Sequence, residues 1–444
     1  MSEAAGAVQA NEALFVEAVP THDQAPTTPE PAAGYLPPEY PQNYRRTIAL
    51  VLIAAAGMYI MMLTLSTALS LRIASVAPEG KEAALSLAVS FGALLQLVGV
   101  PLGGALSDRT VGRFGRRRPW IVGMLAIALV AMAVIGTTTV VPLIVGAYVI
   151  GITCAQVGFS SYSVITVEGV PDNMRGKVMG MMGMFGALAM SAGSYLAAAL
   201  VGMPFFLMTA PVLLAIVCSL PLLIGYRDPA KSREDVPPLK LASLFSGLIV
   251  NPRKHPDFGW VWLSRFLAGV AMTGLFTYFI YFMMDGLGLE IAQAGANAGL
   301  LSLLSAPVSV VFFTASGWLS DKLGRRKPFV VAAALFMAAA LVIAGTATTF
   351  AQFIVAWLLF AVGQAMYLTV DLVLCAAVLP DARDAGKDMG VFQLALSIPA
   401  IIVPLVAPAV LAIGGGHNYL LLWGLCAALC ALGALAVLKV KGVR

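Results

Sequence analysis

Twelve nearly uncharged runs, each long enough to cross a lipid bilayer as a helix, set the terms for this chain. They lie near 47–74, 83–107, 119–138, 140–167, 176–202, 204–226, 258–284, 293–319, 328–348, 351–379, 389–413 and 418–438. A hydrocarbon layer about 30 Å thick takes roughly 20 apolar residues as helix, whereas a barrel strand takes only about 10. Every backbone N–H and C=O in lipid must be bonded within its own segment, so runs of this length become helices. Only 11% of residues are charged and the mean hydropathy is +0.90, against about a quarter charged in soluble domains. The expected fold class is an all-α membrane protein.

Polar stretches divide the runs into domains. Residues 1–44 hold six acidic residues, no Lys or Arg, and much Ala, Pro and Thr. That composition cannot bury a core and reads as a disordered acidic tail. Residues 45–226 carry six runs and 258–444 carry six more, with a polar linker at 227–257. Within the linker, Leu241, Leu244, Phe245 and Leu248 share one face of a stretch too short to span, which suits a helix lying in the membrane interface.

Positive charge orients the spans. Of 27 Lys and Arg, all but Arg72, Lys81 and Arg265 fall at the termini or in even-numbered loops. The positive-inside rule then puts both termini in the cytoplasm of a multi-pass plasma (inner) membrane protein. The net charge of +5 is thereby a matter of topology, and no nucleic-acid partner is expected. Snorkelling accounts for Arg72 and for Asp285 near span ends.

The halves repeat. GRRRP at Gly115–Pro119 returns as GRRKP at Gly324–Pro328, 209 residues on, and GKxMG at Gly176–Gly180 returns at Gly386–Gly390, 210 residues on. Two related bundles in one orientation place a binding site near the midplane between them. The expected architecture is twelve transmembrane helices as two pseudo-symmetric six-helix bundles.

Arginine-rich loops follow spans two and eight. Gly112 and Gly115 supply backbone freedom for the reversal, and Pro119 suits the first turn of the next helix. Asp108 and Asp321 stand just before these loops, where an acid opposes the helix dipole and needs a cationic partner. Arg109, Arg116, Lys322, Arg325 and the glycines Gly115 and Gly324 complete a candidate gate. The pattern Gly-x-Leu-Ser-Asp-(Arg/Lys)-x-Gly-Arg-(Arg/Lys), close at Gly317–Arg326 and extended by four residues at Asp108–Trp120, resembles the signature loop of the major facilitator superfamily. The longer copy is similar to the sucrose-type proton symporters and the glycoside–pentoside–hexuronide cation symporters. The superfamily resemblance covers about residues 45–440 and implies alternating-access transport, with spans 1, 4, 7 and 10 around a central cavity.

Charge inside a span costs about 2.5–3.5 kcal/mol and needs a reason. Asp371 lies nine residues before Pro380, and Arg265 nine residues after Pro256, each about 13 Å from its helix end. Gln364, Tyr367 and Asp371 share one face. The resemblance brings spans 7 and 10 together, so Arg265 and Asp371 are expected to pair, with Asp371 facing the central crevice. Either Asp371 exchanges a proton as Arg265 approaches and withdraws, or the pair is a permanent bridge. Glu168 precedes Pro171 by three residues, and VEGVPDNMRGKV resembles the sucrose-type branch near its proton-coupling acid, a place where aspartate is usual. A gate contact between Glu168 and Arg175 or the arginine loop is the other reading.

Hydroxyls, amides and rings on the spans suit an uncharged polyol: Gln156 and Ser160 in span 4, Thr277 and Tyr278 in span 7, Gln364 and Tyr367 in span 10, and Tyr59 in span 1. Ser and Thr also bond back to their own helices, so part of this set need not meet a solute. Gly99 and Gly103, and Gly180, Gly183 and Gly186, read as close helix contacts. The five cysteines have no metal or disulfide spacing, and there is no HExxH, P-loop or nucleophile elbow, so neither enzyme activity nor a cofactor or metal is expected. Three functions fit: a proton-coupled symporter of a sugar or similar neutral solute, a proton-antiporting exporter of a hydrophobic compound, and a transport-dead sensor or scaffold. The expected partners are a small-molecule substrate, protons and lipids, with the chain monomeric.

Overall fold

The computed structural model describes residues 44–111, 114–170, 172–226, 255–377 and 385–441. The expected tail lies outside these residues apart from Tyr44, and so does the expected interfacial helix at 239–250. Twelve helices follow one another: α1 (Tyr44–Val76), α2 (Lys81–Asp108), α3 (Arg118–Thr137), α4 (Val141–Gly169), α5 (Asp172–Ala199), α6 (Pro204–Gly225), α7 (Pro256–Asp285), α8 (Ile291–Leu323), α9 (Lys327–Thr346), α10 (Phe350–Ala377), α11 (Ala385–Leu411) and α12 (Tyr419–Leu438). All twelve are long and apolar enough to cross a membrane, and they match the twelve runs to within a few residues at most ends.

Local chemistry fixes where they begin. Proline occupies the first turn of α3, α4, α6, α7 and α9, where no N–H is missed and its φ already suits a helix. α8 opens on a capping box between Glu290 and Gln293, which satisfies two first-turn N–H groups reciprocally. Asn418 caps α12 by accepting the Leu421 N–H at 3.0 Å.

The packing is built twice. In the first half α1 lies on α5 and α6, α3 on α4 and α6, and α2 on α4; in the second, α7 lies on α11 and α12, α9 on α10 and α12, and α8 on α10. Each second-half pair is a first-half pair moved on by six helices. The halves meet chiefly through α2 against α11 and α5 against α8. Lipid gives no hydrophobic drive between helices, so small residues set how near they come. A Cβ on Gly103 would sit 2.5 Å from Val157, and one on Gly99 would sit 2.9 Å from Thr153, so this pair seats α2 against α4. Of Gly180, Gly183 and Gly186 on α5, only Gly186 meets a neighbour, the Tyr59 ring at 3.5 Å, while Gly180 and Gly183 face open space. The expected contact role therefore fails for those two.

The two ends differ. One carries the arginine loops after α2 and α8 and is called here the arginine end; the other is the far end. Between described residues, the polar contacts joining the halves gather toward the far end. Lys81 of α2 pairs with Asp285 of α7. Tyr278 Oη lies 2.6 Å from Ser86 Oγ, Tyr281 donates to the Ser70 carbonyl at 3.2 Å, and Ser191 donates to the Gly299 carbonyl at 2.9 Å. Toward the arginine end α5 turns Gly180 and Gly183 to open space. The structure is thus closed at the far end.

Snorkelling is not what Arg72 and Asp285 do. Arg72 is buried and donates to the carbonyls of Ile135 at 3.2 Å and Thr138 at 2.8 Å, which closes the C-terminus of α3. A guanidinium is well matched to such orphan carbonyls. Asp285 turns inward to Lys81 and accepts from Tyr419 at 2.7 Å.

Candidate functional site

Two cavities lie at equivalent places in the halves. One, of about 370 Å³, is bounded by α2, α4 and α11 and lined by Ala93, Gln96, Val100, Tyr148, Gln156 and Ser397 among others. The second, of about 140 Å³, is bounded by α8, α10, α5 and α7 and lined by Ser302, Ser305, Ser309, Phe276, Trp357, Phe360 and Gln364 among others. Before the arginine loops the offset is 213, as Asp108 onto Asp321 shows, and it carries Val89 onto Ser302, Ala93 onto Ala306 and Gln96 onto Ser309; past the four extra residues of the first loop it is 209 and carries Tyr148 onto Trp357. Gln156 and Gln364 correspond one residue off that offset. Duplication of the fold has therefore duplicated the hollow, and divergence has made one copy a serine face.

On α8 the serines stand at i, i+3 and i+7, one stripe of a helix. Ser302 donates to the Ala298 carbonyl at 2.9 Å and Ser305 to the Ser302 carbonyl at 3.1 Å. Their protons are spent on the helix, so their lone pairs remain to accept from a solute. Trp357 packs edge-on against Phe276, ring centres 5.4 Å apart, giving the hollow an aromatic wall. These serines are not among the solute contacts expected from the sequence. Their spacing in LLSLLSAPVSVV was the available signal, and it is no different from that of serines that only bond back to their helix.

Arg265 and Asp371 meet as expected. Arg265 Nη1 donates to Asp371 Oδ2, and Nη2 donates to Gln393 Oε1 of α11 at 2.7 Å. The guanidinium also lies over the Phe392 ring, 4.0 Å from its centre. The pair is 5% and 1% exposed, and among the described residues Asp371 Oδ1 and Arg265 Nε have no hydrogen-bond partner. Asp371 lines neither cavity, contrary to the expected place in the crevice. Gln364 reaches a cavity on the same face of α10, but two turns along, α7 and α11 close over Asp371. Tyr367 is likewise fully buried, its Oη 3.2 Å from Ser264 Oγ, so it braces α10 against α7 and lines neither of these two cavities.

The other expected solute contacts divide. Gln156 and Gln364 line cavities. Tyr278 belongs to the far-end closure, buried between Ser86 and the Pro404 carbonyl. Tyr59 packs edge-on to Phe159, ring centres 5.3 Å apart. Tyr59, Ser160 and Thr277 are half-buried and are not among the residues lining either cavity. The side chains of Glu168 and Arg175 lie outside the described residues.

The arginine loops are alike in backbone and unlike in pairing. Gly115 has φ +83° and Gly324 has φ +59°, so both turns use the left-handed region that glycine enters without strain. Asp108 pairs with Arg117 at 2.5 Å and lies 3.7 Å from Arg116; the principal partner is thus the middle arginine of GRRRP. Arg109 donates to the Ala105 carbonyl at 2.7 Å. In the second copy Asp321 is exposed and makes no ion pair with a described residue, against expectation. There the shorter loop turns at once on Gly324. Arg326 reaches the Val373 carbonyl at 3.2 Å, Lys327 donates to the Val440 carbonyl, Lys322 lies over the Trp318 ring, and Arg325 is exposed. Solvent in place of a partner weakens the clash between Asp321 and the helix dipole.

Comparison with known proteins agrees with this architecture. A family model described as the Major Facilitator Superfamily matches residues 47–314 and 298–443. Among curated proteins no relative of this sequence is found. The structure is similar to that of the nucleoside transporter NupG, with a TM-score of 0.68 at 11% identity over 90% of this chain and 100% of that one. It is also similar to the D-xylose-proton symporter, with 0.61 at 20% identity over 90% and 97%. A bacterial homolog of the human lysosomal transporter Spinster, inward-facing and unoccupied, gives 0.62 at 14% identity over 90% and 96%. At such identities the likeness is one of fold.

Proposed function

The chain belongs to the Major Facilitator Superfamily, and from that premise we propose that it moves a sugar or similarly neutral polar solute across the membrane by alternating access, coupled to protons. It is an integral multi-pass transporter and not an enzyme. The observation that carries the finer reading is the α8 serine face with Gln364 opposite and Trp357 beside it. Hydroxyl and amide groups without a formal charge match a polyol, and an aromatic wall matches the apolar face of a sugar ring. The likeness of the longer arginine loop to sugar-carrying branches supports the same class, and the far-end closure supports an alternation between two ends.

In this reading both termini and the arginine loops face the cytoplasm, residues 45–226 and 258–444 rock as bodies, and Asp371 carries the proton. Asp371 Oδ1 is not engaged in a hydrogen bond with a described residue, and the surrounding α7, α10 and α11 must part for a proton to exchange there. Glu168 and the gate residues Asp108, Arg109, Arg116 and Arg175 act at the cytoplasmic face.

Purified protein in liposomes tests this with a counterflow panel of neutral sugars and nucleosides, set against lipophilic cations, with a pH-sensitive dye inside. Saturable counterflow of one neutral solute, with solute-induced proton movement lost in Asp371→Asn while counterflow persists, is the expected result. Flux of the lipophilic compounds alone points to an exporter and overturns the solute class. Unchanged proton movement in Asp371→Asn overturns the coupling role.

A further inference from the structure

At the far end, three side chains from both halves bring lone pairs together. His417 Nδ1 lies 3.2 Å from Glu82 Oε1 and 3.2 Å from Asp285 Oδ2, and the three ligand atoms lie within 4.8 Å of one another. Glu82 Oε1 is buried and has no hydrogen-bond partner among the described residues, so its approach to the imidazole is not itself a hydrogen bond. Two ligands on a tetrahedral zinc ion, each bonded at about 2.0–2.1 Å, stand about 3.3 Å apart. The two distances from His417 match that separation, and the third pair, Glu82 with Asp285, lies within 4.8 Å.

The backbone is bent to achieve it. His417 has φ +57° and is the one non-glycine at positive φ among the described residues, after Gly414, Gly415 and Gly416, which are all at positive φ. A β-carbon in that region costs free energy, and such outliers cluster where a side chain must be aimed. Further contacts hold the ligands in place. Lys81 takes the other carboxylate oxygen of Asp285, and Tyr419 donates to Oδ2 at 2.7 Å. Hydrogen bonds of this kind orient ligating carboxylates. An imidazole among the donors favours a transition metal over calcium or magnesium.

We propose that Glu82, Asp285 and His417 form a binding site for a divalent transition-metal ion of the zinc type, which staples the far ends of the two halves together. Glu82 begins α2 in the first half; Asp285 ends α7 and His417 precedes α12 in the second. A bound ion therefore holds the far end closed. The staple's effect on transport rests on the alternating-access reading above, while the binding does not.

The test uses the full chain in detergent, titrated with zinc chloride by calorimetry, with thermal unfolding alongside. One zinc per chain and a raised Tm are expected. His417→Ala, an exposed loop position, should weaken binding at least tenfold and abolish the Tm rise, and Glu82→Gln should do the same. Magnesium should give neither. Equal zinc binding by wild type and His417→Ala overturns the site, as does no binding by wild type. Should Glu82→Gln fail to fold, His417→Ala decides. Spin labels at Glu79→Cys and Ala412→Cys read the staple: zinc should narrow the distance distribution toward its short end. Tight binding to these ligands with an unmoved distribution overturns the staple and leaves the site standing.

Discussion

Either member of the Arg265–Asp371 pair, left alone, is a charge that the surrounding helices hardly support. Gln393 offers Arg265 one neutral acceptor, and no other described group pairs with Asp371. Breaking a buried pair from one side typically costs about 3–5 kcal/mol, whereas replacing both members costs far less. Arg265→Gln and Asp371→Asn are each expected to lower the Tm, and the double variant to recover much of the loss, measured by thermal unfolding in detergent. Equal losses for singles and double would show that the two charges do not lean on each other. Gln364→Leu is a different kind of change, since it removes a cavity-lining amide and leaves the fold intact. A hydrogen bond to solute lost without replacement is worth about 0.5–1.5 kcal/mol, so KM in counterflow should rise about two- to tenfold while the Tm stays within a few degrees. The two sets of residues were unequally legible. Arg265 and Asp371 stood out because charge is scarce and costly in lipid, and counting from Pro256 and Pro380 set their depth. Ser302, Ser305 and Ser309 were hidden because a serine in an apolar helix can always satisfy itself on its own backbone, as Ser302 does.

Helices differ in how much a single methyl group would disturb them, and the glycines make the contrast measurable. A Cβ on Gly103 would stand 2.5 Å from Val157 of α4, so Gly103→Leu must push that side chain away; overpacking of this order costs about 1–3 kcal/mol. Gly183 in α5 has nothing within 4 Å of where a Cβ would stand, and removing glycine from a helix interior gains about 0.5–1 kcal/mol. Gly183→Ala should therefore leave Tm unchanged or raised, and Gly103→Leu should lower it. Sequence spacing alone made both look like contact glycines. What separates them is the neighbour: Gly103 has Val157 of α4 in its own half, whereas Gly183 stands on a part of α5 where a Cβ meets nothing. Gly324, by contrast, was readable from the repeat: GRRKP needs a left-handed residue to end α8, and φ +59° is what the structure has.

Across the whole molecule, the positions of charge and of the two repeated motifs carried almost all the architecture: twelve spans, two like bundles, and interfaces exchanged in pairs. They did not carry the conformational state, because that depends on contacts between halves that are distant in sequence and differ from state to state. The far-end closure is built from such contacts, with Gly299 against Tyr195 and Gly295 against Ala198 and Leu71. A Cβ on Gly299 would come within 2.9 Å of the Tyr195 ring, a contact made between α8 and α5 when this end is shut. Gly299→Leu therefore penalises the closed far end and leaves the contacts inside each bundle as they are. A shift of about 1.4 kcal/mol in that balance changes the ratio of states tenfold. Labels at Glu79→Cys and Ala412→Cys, with the native cysteines replaced, should report longer distances in the Gly299→Leu background, and zinc should bind that background more weakly because Glu82 and His417 are drawn apart. If the distances stay short and zinc binds unchanged, the two halves do not open at this end by parting α5 from α8.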